Sequence, residues 1–230
     1  MGLEDQKRAA ALAALDYVKP GMRLGLGTGS TASLFVSELG ERVRAGLEVV
    51  GVATSMATEA LARAHAVPLV TLDRVSHLDL AVDGADEIDG SLRLIKGGGG
   101  ALLREKIVAT ASESMIVIAD SSKRVDRLGA FPLPVEIVPF GARATMRRIE
   151  AVAKECGCEG AVLLRVKETE PFQTENGNLI CDCAFETIEE PERLAGALST
   201  VAGVVEHGLF INLASLAIIG TPSGIKVLGR

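Results

Sequence analysis

Short apolar runs without polar alternation, each set between helical stretches, are the feature that most limits how this chain can fold. "LDLAVDG", "SMIVIAD" and "SLAIIG" carry apolar side chains at successive positions, so both faces of each strand are apolar. A strand greasy on both faces belongs inside a sheet covered by helices on either side, the usual state of parallel strands joined by crossover helices. The surrounding pattern agrees. Helical "EDQKRAAALAALDYV" precedes strand "MRLGLG", and helix "TASLFVSELGERVRA" precedes strand "LEVVGVA". A helix over 55–65, strands "PLVTL" and "LRLIKG", and a helix after the glycine run continue the series. Ser30 or Thr31 is the expected cap of the second helix.

From about Pro132 the rhythm changes. Strand "PVEIVPF", helix "ARATMRRIEAVAKEC", strand "GAVLLRV", turn "TENGN", strand "LICDCAF", helix "PERLAGALSTV" and strand "GVVEHG" follow in the order β-α-β-β-α-β. That is the order of a ferredoxin-like unit, with Asn176-Gly177 as its hairpin turn. "SLAIIG" and "GIKVLG" then read as core strands returning to the first domain. The expected organisation is a Rossmann-like α/β domain with a largely parallel sheet over residues 1–130 and 206–230, and an inserted ferredoxin-like α+β domain over 131–205.

Composition excludes several classes of function. A net charge of -6 argues against a general nucleic-acid binder, which needs clustered cations over a broad face. Arg143, Arg147 and Arg148, the densest basic group, read as a solvated helix face. "MGLEDQKR" lacks the apolar core of a secretory signal, and "GLFINLASLAIIG" is too short and too interrupted to span a bilayer. The expectation is a cytoplasmic protein with no membrane partner. The pairs Cys156/Cys158 and Cys181/Cys183 have C-x-C spacing, which on a strand puts both thiols on one face and suits buried thiols better than a zinc ribbon. His65, His77 and His207 are scattered, and no cluster has convincing metal-ligand spacing.

Three loops at strand ends carry the candidate chemistry. In "GLGTGST" the N–H groups and hydroxyls around Thr28, Gly29, Ser30 and Thr31 make a phosphate cradle at a helix start, with a tight capped turn as the alternative. "AVDGADEID" puts Asp83, Asp86, Glu87 and Asp89 beyond an apolar strand, where open α/β sheets bind ligands. For Glu87 and Asp89 the simpler reading is a solvated turn.

The third loop is "IKGGGGALLREKIV". Four glycines beside a lysine are costly to order, so the run is either slack or a place where backbone N–H groups approach a ligand. At about 100° per residue, Glu105 shares a helix face with Ala101, Leu102, Val108 and Ala109. Burial there favours a base that works near neutral pH, while a first-turn glutamate favoured by the helix dipole is the alternative. Lys96 and the glycine N–H groups supply positive potential for an oxyanion.

Together "GLGTGST", "VDGADEID", "KGGGGALLREK" and "IADSSKRVDRLGAFPLPVEI" resemble, in order, the signature segments of type A ribose-5-phosphate isomerases. "LFINLASLAIIGTPSGIKVL" resembles that family's C-terminal segment. The resemblance implies interconversion of ribose 5-phosphate and ribulose 5-phosphate through an enediolate, with no metal or other cofactor. It implies that Glu105 moves the proton between C2 and C1, and that Asp83 assists ring opening and proton traffic among the oxygens. Lys96 with Gly97, Gly98 and Gly99 would stabilise the enediolate, and Asp86 would hold hydroxyls. Thr28, Gly29, Ser30, Thr31, Gly84 and Ala85 would contact substrate, with Lys123 and Lys7 adding charge for the phosphate. The inserted domain would serve as a lid or as the contact of a homodimer or homotetramer. Two other readings use the same architecture: acyl transfer with Glu105 as nucleophile toward a CoA thioester, and a non-catalytic sugar-phosphate sensor.

Overall fold

The computed structural model describes residues 1–229. In chain order its elements are α1 (Leu3–Ala14), β1 (Arg23–Leu26), α2 (Ser30–Arg44), β2 (Val50–Ala53), α3 (Met56–Ala64), β3 (Leu80–Asp83), β4 (Glu87–Ile88) and β5 (Leu94–Ile95). They continue with α4 (Leu102–Thr110), β6 (Met115–Asp120), β7 (Leu133–Ile137), α5 (Ala142–Glu155), β8 (Ala161–Leu164), β9 (Val166–Lys167) and β10 (Glu170–Pro171). The last are β11 (Leu179–Ala184), α6 (Pro191–Leu198), β12 (Val204–His207), β13 (Leu209–Phe210), β14 (Leu216–Thr221) and β15 (Gly224–Gly229). These fall into two compact units, one of Met1–Ala85, Arg104–Arg124 and the stretch from Asn212, the other of Asp86–Leu103 and Val125–Ile211.

The first unit is built on a six-stranded sheet in the order β15-β14-β6-β3-β1-β2. All neighbours pair in parallel except β14 and β15, which form an antiparallel hairpin at one edge. Side-chain alternation explains the layers. Leu24, Leu26, Leu80, Val82, Ile116, Ile118 and Ile218 share one core with Ala10, Ala11 and Ala14 of α1 and Phe35, Val36 and Leu39 of α2. The opposite face is served by small residues. Gly25 lies so close to Val108 of α4 and to Ala81 that a side chain there would displace them.

The second unit contains a four-stranded antiparallel sheet in the order β12-β7-β11-β8. This is the ferredoxin-like order that the β-α-β-β-α-β sequence requires, with Leu133, Val135, Ile137, Cys181 and Cys183 packed with Ile149, Val152, Leu194 and Leu198 of α5 and α6. The expected turn is present: Gly177 takes a left-handed φ of 80° and donates to the Thr174 carbonyl. Arg143, Arg147 and Arg148 are solvent-exposed on α5.

Four expectations differ from the structure. "PLVTL" forms a single bridge from Leu69 to Gly51 and then a 3-10 turn at Leu72–Arg74, because only one stretch of its backbone meets the edge of β2. "LRLIKG" does not join the parallel sheet. Its β5 lies between β13 and β4 in a separate three-stranded antiparallel sheet, so Asp86–Leu103 belongs to the second unit rather than to the expected first domain. Neither Ser30 nor Thr31 caps α2, since the helix already starts at Ser30 and its N-cap is Gly29, at φ 113°. Glu87 and Asp89 are buried rather than solvated: Glu87 accepts from the N–H groups of Gly129 (2.7 Å) and Phe131 (2.6 Å). Asp89 accepts from the N–H groups of Ser91 and Arg93 and from the Arg93 guanidinium.

All four cysteines are free and buried. Burial pushes the Cys181 thiol up to about 12 and Cys183 well above its usual range, so the reactive thiolate is suppressed in both. Ellman's reagent at about pH 8 should therefore react slowly with the native protein and rapidly with all four thiols after denaturation. Fast labelling of the folded chain would contradict this packing.

Candidate active site

The first unit gathers the expected phosphate loop and the first aspartate at the carboxyl ends of β1 and β3. Gly27 continues β1 by donating to the Val82 carbonyl at 3.0 Å, and any side chain there would overlap the Asp83 carboxylate. The carboxylate fills the space instead. Asp83 Oδ1 accepts from the N–H groups of Thr28 (3.1 Å) and Gly84 (2.7 Å), which fixes its orientation within a nearly closed environment.

Thr31 of the cradle is buried on α2, and Thr28 turns its polar groups inward. Its Oγ1 donates to Ser55 Oγ (2.8 Å) and lies 2.7 Å from Thr54 Oγ1 and 3.1 Å from Thr58 Oγ1. Thr58 Oγ1 and Thr54 Oγ1 donate in turn to the carbonyls of Gly27 and Leu26. Sequence reading missed these three residues, although "ATSMAT" at the end of β2 repeats the small-hydroxyl composition of "GTGST". The network holds the loop's shape. Gly29 and Ser30 are exposed, no side chain caps α2, and its first turn has no acidic residue, so the helix start presents its N–H groups and positive dipole end without internal competition.

The lysines expected near the phosphate are joined through a buried side chain. Gln6 of α1 accepts at Oε1 from the Ser121 N–H (3.1 Å) and hydroxyl (2.8 Å), tying the segment that carries Lys7 to the 3-10 turn Ser121–Lys123. Lys7 itself pairs with Glu4 at 2.7 Å. Glu105 lies in the first turn of α4, 5% exposed. It is on the face that continues to Val108 and Ala109, both buried, as the helical spacing predicts.

The second unit gathers Asp86, Lys96 and the glycine loop. Lys96 is 2% exposed at the end of β5, with its N–H on the Gly208 carbonyl (2.9 Å) and its Nζ 5.5 Å from the Phe210 ring centroid. The aromatic face supports a desolvated cation there. Asp86 Oδ2 accepts from the Gly98 N–H at 2.8 Å, so the expected hydroxyl-binding carboxylate also braces the loop. Gly97 at φ 108° and Gly100 at φ 83° need glycine for their backbone conformation, and the Gly100 N–H closes a turn onto the Gly97 carbonyl. Gly98 and Gly99 are exposed at its tip.

One residue of this loop's surroundings carried no sequence signal. Arg165 donates from Nη1 to the carbonyls of Gly97 (2.9 Å) and Gly98 (3.1 Å), while Nη2 and Nε hold both oxygens of Asp182 at 2.5 and 2.9 Å.

Among the described residues one group has the composition of a metal site: His77, Asp79 and Glu113. Arg23 already engages two of the three. Its Nη2 lies 2.8 Å from His77 Nε2 and its N–H donates to Asp79 Oδ2, a bond that holds the Asp79 carboxyl below its usual range. No helix among the described residues is long and apolar enough to cross a membrane.

Comparison with known proteins places this chain in a family. Residues 50–224 match the family model described as Ribose 5-phosphate isomerase A (phosphoriboisomerase A). The chain is 58% identical over 229 residues to the Ribose-5-phosphate isomerase A of Parvibaculum lavamentivorans, with 99% of each chain covered. It is 57% identical over 224 residues to that of Brucella suis, with 97% of each covered. Among solved structures it is similar to a D-ribose-5-phosphate isomerase in complex with phospho-erythronic acid, with a TM-score of 0.93, 39% identity and all of both chains covered. The ribose 5-phosphate isomerase of Plasmodium falciparum gives a TM-score of 0.94 at 36% identity over 99% of both chains.

Proposed function

Because this chain belongs to the ribose 5-phosphate isomerase A family and is an isomerase of ribose 5-phosphate, we propose that it works through an enediolate with Glu105 as the base. The supporting observation is the burial of that glutamate on the apolar face of α4. In the aldose the carbonyl is at C1 and the transferred hydrogen at C2. Glu105 removes the C2 proton, the electron pair moves into a C1–C2 double bond, and the C1 oxygen takes up negative charge. A proton then passes from the C2 hydroxyl to the C1 oxygen, and the same carboxyl returns its proton to C1 as the C2 oxygen becomes the carbonyl, leaving the ketose.

The other residues have roles suited to their chemistry. Asp83, oriented by two backbone N–H groups, is suited to exchanging protons with the sugar oxygens and to assisting ring opening. Lys96 and the loop of Gly97, Gly98 and Gly99 stabilise the enediolate oxygen, with the Gly98 N–H itself committed to Asp86. Asp86, Gly84 and Ala85 contact the sugar. Gly29, Ser30 and Thr31 receive the phosphate at the start of α2, with Thr28 shaping the loop and Lys123 and Lys7 supplying charge. Phospho-erythronic acid, the molecule in the related solved structure, would bind as a competitive inhibitor, its carboxylate imitating the enediolate. The second unit serves as a lid or as the contact of a homodimer or homotetramer, and the enzyme acts in the cytoplasm.

The test is direct. The purified chain, dialysed against EDTA, should convert ribose 5-phosphate to ribulose 5-phosphate at an undiminished rate. Loss of turnover on chelation, restored by one divalent ion, would overturn the metal-free route.

A further inference from the structure

A loop of four glycines has no side chains with which to hold itself, yet an oxyanion-stabilising loop must present its N–H groups in a fixed direction before substrate arrives. We propose that Arg165 is the positioning residue that sets this direction, by pinning the carbonyls of Gly97 and Gly98 so that the Gly99 N–H is turned toward the enediolate oxygen. The inference rests on the enediolate reading above and assigns the orientation of its glycine donors to a residue 68 positions away from Gly97.

The geometry supplies each step. A trans peptide holds its C=O and the following N–H on opposite sides. With the Gly97 carbonyl on Arg165 Nη1 at 2.9 Å, the Gly98 N–H is directed away from the guanidinium, and it donates to Asp86 Oδ2 at 2.8 Å. With the Gly98 carbonyl on the same Nη1 at 3.1 Å, the Gly99 N–H is directed away as well. No acceptor in the protein takes that N–H among the described hydrogen bonds, and Gly99 is exposed. A donor aimed outward from a braced turn is what a developing oxyanion requires.

Arg165 is itself over-determined. Asp182 grips Nε and Nη2 at 2.9 and 2.5 Å, a two-point contact that fixes the plane of the guanidinium. Its carbon lies 5.8 Å from the Phe172 ring centroid, and the same ring occupies the space a side chain at Gly100 would need. Only a planar, forked cation satisfies a carboxylate on one side and two carbonyls on the other. A lysine has one point of charge and cannot reproduce this arrangement. The positive charge behind the carbonyls also polarises the two peptide groups, making their N–H ends better donors.

The test compares four forms of the full chain with the parent: Arg165→Lys, Arg165→Ala, the pair Arg165→Ala with Asp182→Asn, and Glu105→Gln. The double change avoids stranding the Asp182 charge. If Arg165 orients the donor, kcat should fall about 100-fold in the double form, the cost of losing one oxyanion donor, and about 10-fold in the lysine form, which keeps part of the contact, while KM changes by less than about threefold. Guanidinium at about 20 mM, far below denaturing levels, should restore part of kcat in Arg165→Ala, where Asp182 remains to hold it, and none in Glu105→Gln. A residue needed only for folding would give no such rescue. A folded double form with parental kcat, or an Arg165→Ala form whose lost kcat does not respond to guanidinium, would overturn the proposal. Should the double form not fold, parental kcat in Arg165→Lys would overturn it equally. Failure of the underlying reading looks different, because Glu105→Gln would then turn over normally whatever the Arg165 variants do.

Discussion

Glu105→Gln should fold like the parent and turn over ribose 5-phosphate about 10²-fold to 10⁴-fold more slowly, the usual size of general-base catalysis. The amide has the shape of the carboxylate and cannot accept the C2 proton. Since Glu105 is buried in the first turn of α4, on the face shared with Val108 and Ala109, the exchange alters charge at one point and leaves the packing in place. The loss should fall on kcat, with phosphate-bearing inhibitors binding nearly as before. Steady-state kinetics beside circular dichroism measures both. A glutamine variant of near-parental turnover would remove Glu105 as the base.

Lys96→Met should lower kcat by about 10²-fold to 10³-fold, the cost of removing a preorganised charge from a developing oxyanion. Methionine keeps the length of the side chain, and its sulfur makes a favourable contact with an aromatic ring, so the Phe210 face that supports the lysine 5.5 Å away remains covered. The backbone N–H of residue 96 still meets the Gly208 carbonyl, and β5 keeps its place between β13 and β4. Circular dichroism and thermal melting should match the parent while steady-state assays record the loss. Parental kcat in this variant would show that the cation does not serve the reaction.

Sequence alone revealed the parts of this molecule that depend on local pattern. The parallel sheet was readable because β3, β6 and β14 are apolar on both faces, and the ferredoxin-like order because its strands and helices follow one another without interruption. The position of Glu105 on a buried helix face followed from spacing alone. Two-residue strands such as β4 and β13 are too short to carry a period, and they exist only because β5 lies between them. Glu87 and Asp89 look like turn residues in "DEIDG", yet the groups that bury Glu87 are N–H donors at Gly129 and Phe131, 42 and 44 positions on. Arg165 is opaque for the same reason: its partners are a carboxylate 17 residues ahead and carbonyls 67 and 68 residues behind. Thr28 belongs to the substrate loop by pattern, but its hydroxyl is committed to Thr54, Ser55 and Thr58 by the approach of β2 and α3. Long-range hydrogen bonds of this kind leave no periodic trace in a chain.

The central claim is that a single carboxylate carries a proton from C2 to C1 through an enediolate, and the fate of the C2 hydrogen tests it most directly. Ribose 5-phosphate deuterated at C2 should give ribulose 5-phosphate that has lost deuterium to water, since a proton held on Glu105 can exchange before it is returned. In heavy water the unlabelled substrate should correspondingly gain deuterium at C1 of the product. Complete transfer of the C2 deuterium to C1, with no exchange at any stage of conversion, would indicate a hydride shift and contradict the account.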